Sequence, residues 1–339
     1  MATTEPVTDW AEDFDIFDPD FVKDPYPFWG DLRGQCPVAH SDRWGGSYMP
    51  STFETVNAVA HDAENFTSLE VGVVPIPIAY DDDGNRLRSI IASDPPDHTP
   101  ERRLLLPFFA PRAVEKYRES TAELCRQLIR GFIEDGKADI AGEYARQIPP
   151  RVIAEILGID PERSDEFTEW VQGALELGLQ DPVIREKYRT IIEDFFLEEI
   201  ERRQEEPGDD LISFLLNADI DGEPVPMHVV RGNVGLMLVA GIDTTWSSIG
   251  SALWHLATHP EDRQRLVDEP QLLPLAIEEL LRAYSPVTMA RMEMQVAIGE
   301  FLKMVPEFEI EDAAAVTWAG GQVRGPRYLP VTFPSRPQL

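Results

Sequence analysis

Ala240-Gly241-Ile242-Asp243-Thr244-Thr245 lies inside a long run, residues 227–257, whose apolar residues recur with a helical period. Its most apolar window, Val234–Ile242, holds Gly235 and Gly241 and ends at Asp243. A membrane span needs about 20 apolar residues, so this stretch reads as a helix buried in protein. A glycine in a helix interior costs roughly 1 kcal/mol relative to alanine, and two adjacent threonines add β-branched crowding. The Thr244 hydroxyl can bond back to the carbonyl of Ala240, four residues earlier. A local bulge or groove is expected here, the way a helix makes room for a ligand. Asp243 beside the Thr244 hydroxyl makes a candidate proton relay. A packing kink lined with small residues fits the same six residues.

Working outward, helical periodicity is expected at 112–135, 144–157, 163–178 and 184–205 before this run. It returns at 261–267, 272–284 and 291–304 after it. In 184–205, Ile191 with Phe195 and Ile192 with Phe196 and Ile200 form rows four residues apart. A short helix at 20–35 is entered through Asp24-Pro25. Short β pieces are expected near Trp44–Met49, Val71–Ile78 and Tyr328–Phe333, and a solvated turn at Asp81-Asp82-Asp83-Gly84. Thr99-Pro100-Glu101 reads as a helix start, with Thr as cap and Pro in the first turn. The fold class is mainly α with a minor β part, in a single domain, residues 1–339.

Composition narrows the function. The chain has 339 residues, 43% of them hydrophobic, enough for a sizeable core. Its formal net charge is −31, which repels phosphate backbones and anionic lipid, so neither nucleic acid nor a membrane surface is an expected partner. The two cysteines, Cys36 and Cys125, are too few for a disulfide framework or a four-sulfur metal site. The acidic N-terminal stretch has no basic and apolar leader pattern. A cytoplasmic protein is expected.

Two further motifs give the central run its meaning. Asp94-Pro95-Pro96-Asp97-His98-Thr99-Pro100-Glu101-Arg102 places His98 and Arg102 four residues apart at a helix start, where both can reach one anionic group. Glu279-Leu280-Leu281-Arg282 places an acid and a base three apart on one helix. In this order and at these distances the motifs resemble the cytochrome P-450 family of haem-thiolate monooxygenases. The resemblance extends to Arg291-Met292-Glu293-Met294-Gln295, similar to the start of the family's L helix, and to Val323–Val331, similar to its last strands.

That resemblance implies haem as cofactor, with His98 and Arg102 at a propionate and Ala240 and Gly241 in the oxygen-binding groove. It implies Asp243 and Thr244 as the acid and alcohol that deliver protons to dioxygen. It also implies a small apolar substrate and electrons from a ferredoxin-type partner. One family element has no counterpart. Between the K-helix Glu-x-x-Arg and the L helix the family carries a meander and a loop, FxxGxxxCxG, whose cysteine ligates iron. Here Ser285–Ala290 runs straight into Arg291-Met292, as though an internal deletion fell at about 290–292. Cys125 lies mid-helix among Leu124, Leu128 and Ile129, and reads as a core residue. Cys36 lies near the N-terminal β region without a glycine-rich setting. No metal ligand is therefore assigned. The meander's arginine, which completes the Glu279–Arg282 pair in the family, is missing too, so an incompletely paired buried charge is expected. The reading is a family member with impaired or no monooxygenase activity, the alternative being a non-catalytic truncated relative that binds a hydrophobic molecule.

Overall fold

The computed structural model describes residues 5–81, 83–284 and 291–335. After one helical turn at Pro19–Lys23, α1 (Tyr26–Gln35) leads into a hairpin of β1 (Val38–Ser41) and β2 (Ser47–Pro50), then α2 (Phe53–His61). A long irregular stretch ends at α3 (His98–Phe109). There follow α4 (Arg118–Phe132), β3 (Lys137–Asp139), α5 (Ile148–Leu157), α6 (Ser164–Gln172), α7 (Pro182–Glu205) and α8 (Leu211–Asn217). A minimal hairpin, β4 (Asp219–Ile220) and β5 (Glu223–Pro224), precedes α9 (Met227–Thr258), which has 32 residues. The last helices are α10 (Pro260–Asp268), α11 (Leu273–Tyr284) and α12 (Arg291–Met304). The chain closes with β6 (Glu309–Ile310), β7 (Thr317–Ala319), β8 (Gly325–Tyr328) and β9 (Pro330–Thr332). β9 lies between β3 and β6, antiparallel to both, and β7 pairs with β8.

The helices fall where the periodicity puts them, and the differences have local causes. The 20–35 segment splits because Asp24-Pro25 interrupts it between Lys23 and Tyr26. Helix α3 begins at His98, with the His98 amide donating to Asp94 O at 3.0 Å, so Thr99 is not its cap. Val71–Ile78 forms no strand, since Pro75 and Pro77 remove donors that a ladder needs. In the expected acidic turn, the Gly84 amide donates to Asp81 O at 3.0 Å with Gly84 at φ +80°, while Asp82 lies outside the described residues. Of the expected junction at about 290–292, Ala290 lies outside them as well, while Arg291 and Met292 open α12.

Helix α9 is the axis of the main core. Val234, Leu238, Ile242, Ile249 and Leu253 are all fully buried. It packs on α5, α7, α12 and β8, while α4 lies along α12. A second, smaller core joins Phe14, Leu32 and Ala39 beneath the β1–β2 hairpin. Two ties hold it to the rest. The Tyr26 hydroxyl donates to Ala283 O at 3.0 Å, and Arg324 donates to Val22 O at 3.0 Å and to Lys23 O at 2.7 Å. Helix α2 has a well-formed start, with Thr52 and Thr55 bonding each other's amides, yet none of its residues is buried.

The Glu279–Arg282 pair corrects the expectation of a buried charge. Both side chains are exposed, and the guanidinium meets both carboxylate oxygens, at 2.7 and 2.5 Å. No described element covers that face of α11, and the hydrogen bonds from the arginine hold the glutamate below the usual carboxylate range against a smaller opposing effect of desolvation. Glu279→Gln is expected to leave the thermal midpoint unchanged, as for a solvated ion pair.

Glu293 behaves in the opposite way. It sits in the first turn of α12, buried, with Oε2 unpartnered among the described residues. Burial pushes its carboxyl up to about 8. An acid raised in the folded state keeps its proton there after the unfolded chain has lost its own. Stability therefore falls as pH rises from about 4.5 through about 8 and is flat above. Urea titrations of Glu293→Gln at pH 5 and pH 8 are expected to show less of this slope, and a variant more stable than the parent at pH 8.

Candidate functional site

Asp243 and Thr244 sit midway along α9, and the helix runs unbroken across them. The expected bulge is absent for two reasons. The Thr244 hydroxyl donates to Ala240 O at 2.5 Å, which satisfies that carbonyl inside the helix. Ile153 of α5 fills the notch at Gly241, where a Cβ would lie 2.3 Å from Ile153 Cδ1. Gly241 is thus a point of helix-to-helix contact. Ala240 and Thr244 share a half-buried face of α9 with Leu236 and Val239. Thr245 is fully buried, with its hydroxyl unpartnered among the described residues.

Asp243 faces another way and is buried. Arg327 of β8 reaches it, with Nη2 at 2.6 Å from Oδ1. The same guanidinium donates through Nη1 to Ser247 Oγ at 2.9 Å and through Nε to Glu176, and lies 4.1 Å from the Trp246 ring centroid. β8 can approach this closely because it crosses α9 on glycine: a Cβ at Gly325 would lie 2.4 Å from Ser247 Cβ, and one at Gly250 2.8 Å from Pro326 Cγ. Burial raises the Asp243 carboxyl to about 6, with Arg327 opposing the shift and Glu176 adding to it.

His98 is half-buried and Arg102 exposed in the first turns of α3. Neither side chain has a hydrogen-bond or ion-pair partner among the described residues. Between them, Glu101 is buried and accepts from Ser93 Oγ at 3.0 Å, with Arg88 Nη2 2.7 Å away. Arg88 also donates to Asp97 at 2.5 Å. The stretch around Arg88 is pinned to α9 as well, since the Ile90 amide donates to Asn233 Oδ1 at 3.0 Å and Arg88 O rests on Gly232. Sequence reasoning missed Arg327, Glu176, Ser247 and Glu101. Only Ser247, one turn beyond Asp243, carried a local signal.

A buried acid beside a threonine on a long core helix, and a His/Arg turn whose side chains have no described partner, mark a class of mainly α-helical protein. Comparison with known proteins gives that class its family. The family model described as Cytochrome P450 matches residues 178–295. Vitamin D(3) 25-hydroxylase of Pseudonocardia autotrophica is 31% identical over 299 residues, covering 84% of this chain and 70% of that protein. 6-Deoxyerythronolide B hydroxylase of Saccharopolyspora erythraea is 28% identical over 286 residues, covering 80% and 70%. Among solved structures, CYP109Q5 from Chondromyces apiculatus matches with a TM-score of 0.82 at 25% identity, over 96% of this chain and 100% of that one. The chain belongs to the cytochrome P450 family.

The family implies haem, and the residues here meet only part of that requirement. His98 and Arg102, whose side chains have no described partner, are the residues that would hold a propionate. The iron does not find a sulfur donor. Cys125 is fully buried in α4, its thiol pushed up to about 12 by burial, against Tyr144, whose hydroxyl donates to Ala297 O. Cys36 follows α1 and donates its S–H to Val38 O at 3.1 Å. His255, farther along α9, is bonded to the Tyr284 hydroxyl at 2.7 Å and to Asp262 at 3.0 Å. Among the described residues no group of three or more His, Cys, Asp and Glu is placed to hold a metal ion. No described helix is long and apolar enough to cross a membrane.

Arg327→Met leaves a buried carboxylate, Asp243, and a half-buried one, Glu176, without their cation. Removing one partner of such a pair costs roughly 3–5 kcal/mol, and urea unfolding at pH 7.5 is expected to show a loss of that order. Asp243→Asn, which keeps a hydrogen-bonding group beside Arg327, is expected to cost less.

Proposed function

We propose that this chain is a cytochrome P450-family protein that keeps the oxygen-side helix and the propionate-side turn of its family but not the iron ligand, and does not turn over substrate as a monooxygenase. The single observation behind this reading is the state of its sulfur atoms. Cys125 is a packed thiol with its proton held far above neutral pH, and the half-buried Cys36 donates its S–H to Val38 O. A thiolate ligand needs ionised sulfur with open access to the metal. We read residues 1–339 as one domain from which the ligand-bearing stretch has been lost near 290–292.

What remains is a set of binding and proton-holding groups. Arg327 orients Asp243, whose carboxyl changes charge near pH 6. Thr244 holds its hydroxyl against Ala240 O. Leu236 and Val239 supply an apolar face one to two turns before them. This favours a second, non-catalytic role, the binding of a small apolar molecule along α9. A ferredoxin-type donor belongs to the active members that the chain resembles and has no acceptor here without ligated iron.

The test is spectroscopic. The chain is expressed with haem supply, purified, reduced and exposed to carbon monoxide. No thiolate-type Soret band is expected, and Cys125→Ser and Cys36→Ser are expected to leave the spectrum unaltered. A thiolate band that disappears in either variant would overturn the reading.

A further inference from the structure

Where α9 ends, three helices meet around a cluster of titratable and aromatic side chains. His255, near the end of α9, holds two partners there. Its Nε2 lies 3.0 Å from Asp262 Oδ2 in the first turn of α10, and its Nδ1 lies 2.7 Å from the Tyr284 hydroxyl at the end of α11. A carboxylate only accepts, so the neutral imidazole carries its proton on Nε2. Nδ1 is then the acceptor, and the phenol is the donor. Each group in the series Asp262, His255, Tyr284 thus orients the next, and the series ends with a base held against a phenolic proton.

The surroundings decide what that base can do. Tyr284 is half-buried, and burial pushes its phenol above the ordinary value, with Tyr26 and Asp262 adding to the shift and Arg324 opposing it. The proton therefore stays on the oxygen near neutral pH unless the ring loses an electron at the same time. His259 stacks on the His255 ring, with centroids 4.1 Å apart. Tyr284 also ends a file of electron-rich rings. Trp318 of β7 stands 5.3 Å from Trp254, and Trp254 stands 6.0 Å from Tyr284, edge to face in both cases. The Arg324 guanidinium lies 3.9 Å over Trp318, and a cation on a ring face disfavours removal of an electron from that ring. Neither indole N–H donates to a group among the described residues. Of the three rings, only Tyr284 has a base for the proton that oxidation releases.

We propose that Tyr284 and His255 form a proton-coupled redox site, an outlet for one-electron oxidising equivalents that reach Trp254 or Trp318. The co-reactant is a one-electron oxidant from solution, a metal complex or an inorganic radical. It takes one electron from the file of rings and is itself reduced. The O–H bond of Tyr284 breaks and its proton passes to His255 Nδ1. A neutral tyrosyl radical remains beside an imidazolium that Asp262 pairs. Return of one electron re-forms the O–H bond with the same proton. Trp254 is eleven residues, about 16 Å of helix rise, beyond Asp243, so the site is separate from the buried acid and makes no use of haem.

The test is flash photolysis of the full chain with tris(bipyridine)ruthenium, oxidised to ruthenium(III) by a sacrificial cobalt(III) acceptor. The readout is the absorption and electron spin resonance of the neutral tyrosyl radical. A radical signal that is lost in Tyr284→Phe is expected. His255→Gln keeps an acceptor oxygen for the hydroxyl but supplies no base. It is expected to slow radical formation about 100-fold, the low end of what a positioned proton acceptor contributes. The parent chain gives a measure that needs no variant: the rate is expected to fall as acid protonates His255, in step with the NMR titration of its ring. Three results overturn the proposal: a signal that survives Tyr284→Phe, a rate that His255→Gln changes by less than about tenfold, or a rate indifferent to the titration of His255.

Discussion

A carboxylate carried into a protein core on a buried helix needs a proton or a cation, and Asp243 has access to both. Arg327 sits 2.6 Å from it, and burial with Glu176 nearby moves its titration to about 6. Much of the architecture serves that contact. β8 must lie flat on α9 for Arg327 to reach in, and it does so through Gly325 and Gly250. Ser247 takes a third arm of the guanidinium, and Trp246 covers its face. The last strands are thereby locked to the central helix by polar as well as apolar contact, and a single arginine couples α9, β8 and the turn carrying Glu176.

The same physics explains why the chemistry has not moved elsewhere. A thiol becomes a ligand where water or a cation stabilises its charge. Burial favours the protonated form of the Cys125 thiol, with the Tyr144 hydrogen bond opposing it, while Cys36 donates its S–H to the Val38 carbonyl. Histidine fares no better, because His255 spends both ring nitrogens on Tyr284 and Asp262. Neither Cys125 nor His255 is thus open to a metal, while the side chains of His98 and Arg102 have no partner among the described residues.

The helices were legible in the sequence because amphipathic periodicity and proline borders are local signals. The long central helix, α7 and α12 begin and end within a residue or two of their periodic runs. The family motifs were legible for the same reason, each being contained in a few consecutive residues. What escaped is what depends on distant segments. Nothing near Asp243 announces Arg327, 84 residues on, and nothing near Glu101 marks it as the buried partner of Arg88. The bulge at Gly241 was inferred from helix propensity alone, and a tertiary contact from Ile153 overrode it. The Glu279–Arg282 pair was expected to be buried because its cover was assumed.

That last case joins the exposed ion pair to the exposed hairpin. An acid and base on α11 that make both contacts of a bidentate pair are solvated only if nothing lies over them, and α2 can form without a single buried residue only if its cap, not its packing, starts it. Helical stability normally comes from burying one face. A helix with a complete capping box and Phe53, Val56 and Val59 open to water is a surface shaped for contact but lacking it. Both uncovered surfaces adjoin the unit that Tyr26 ties to the end of α11. The fold closes without cover on either surface because its core is organised around α9.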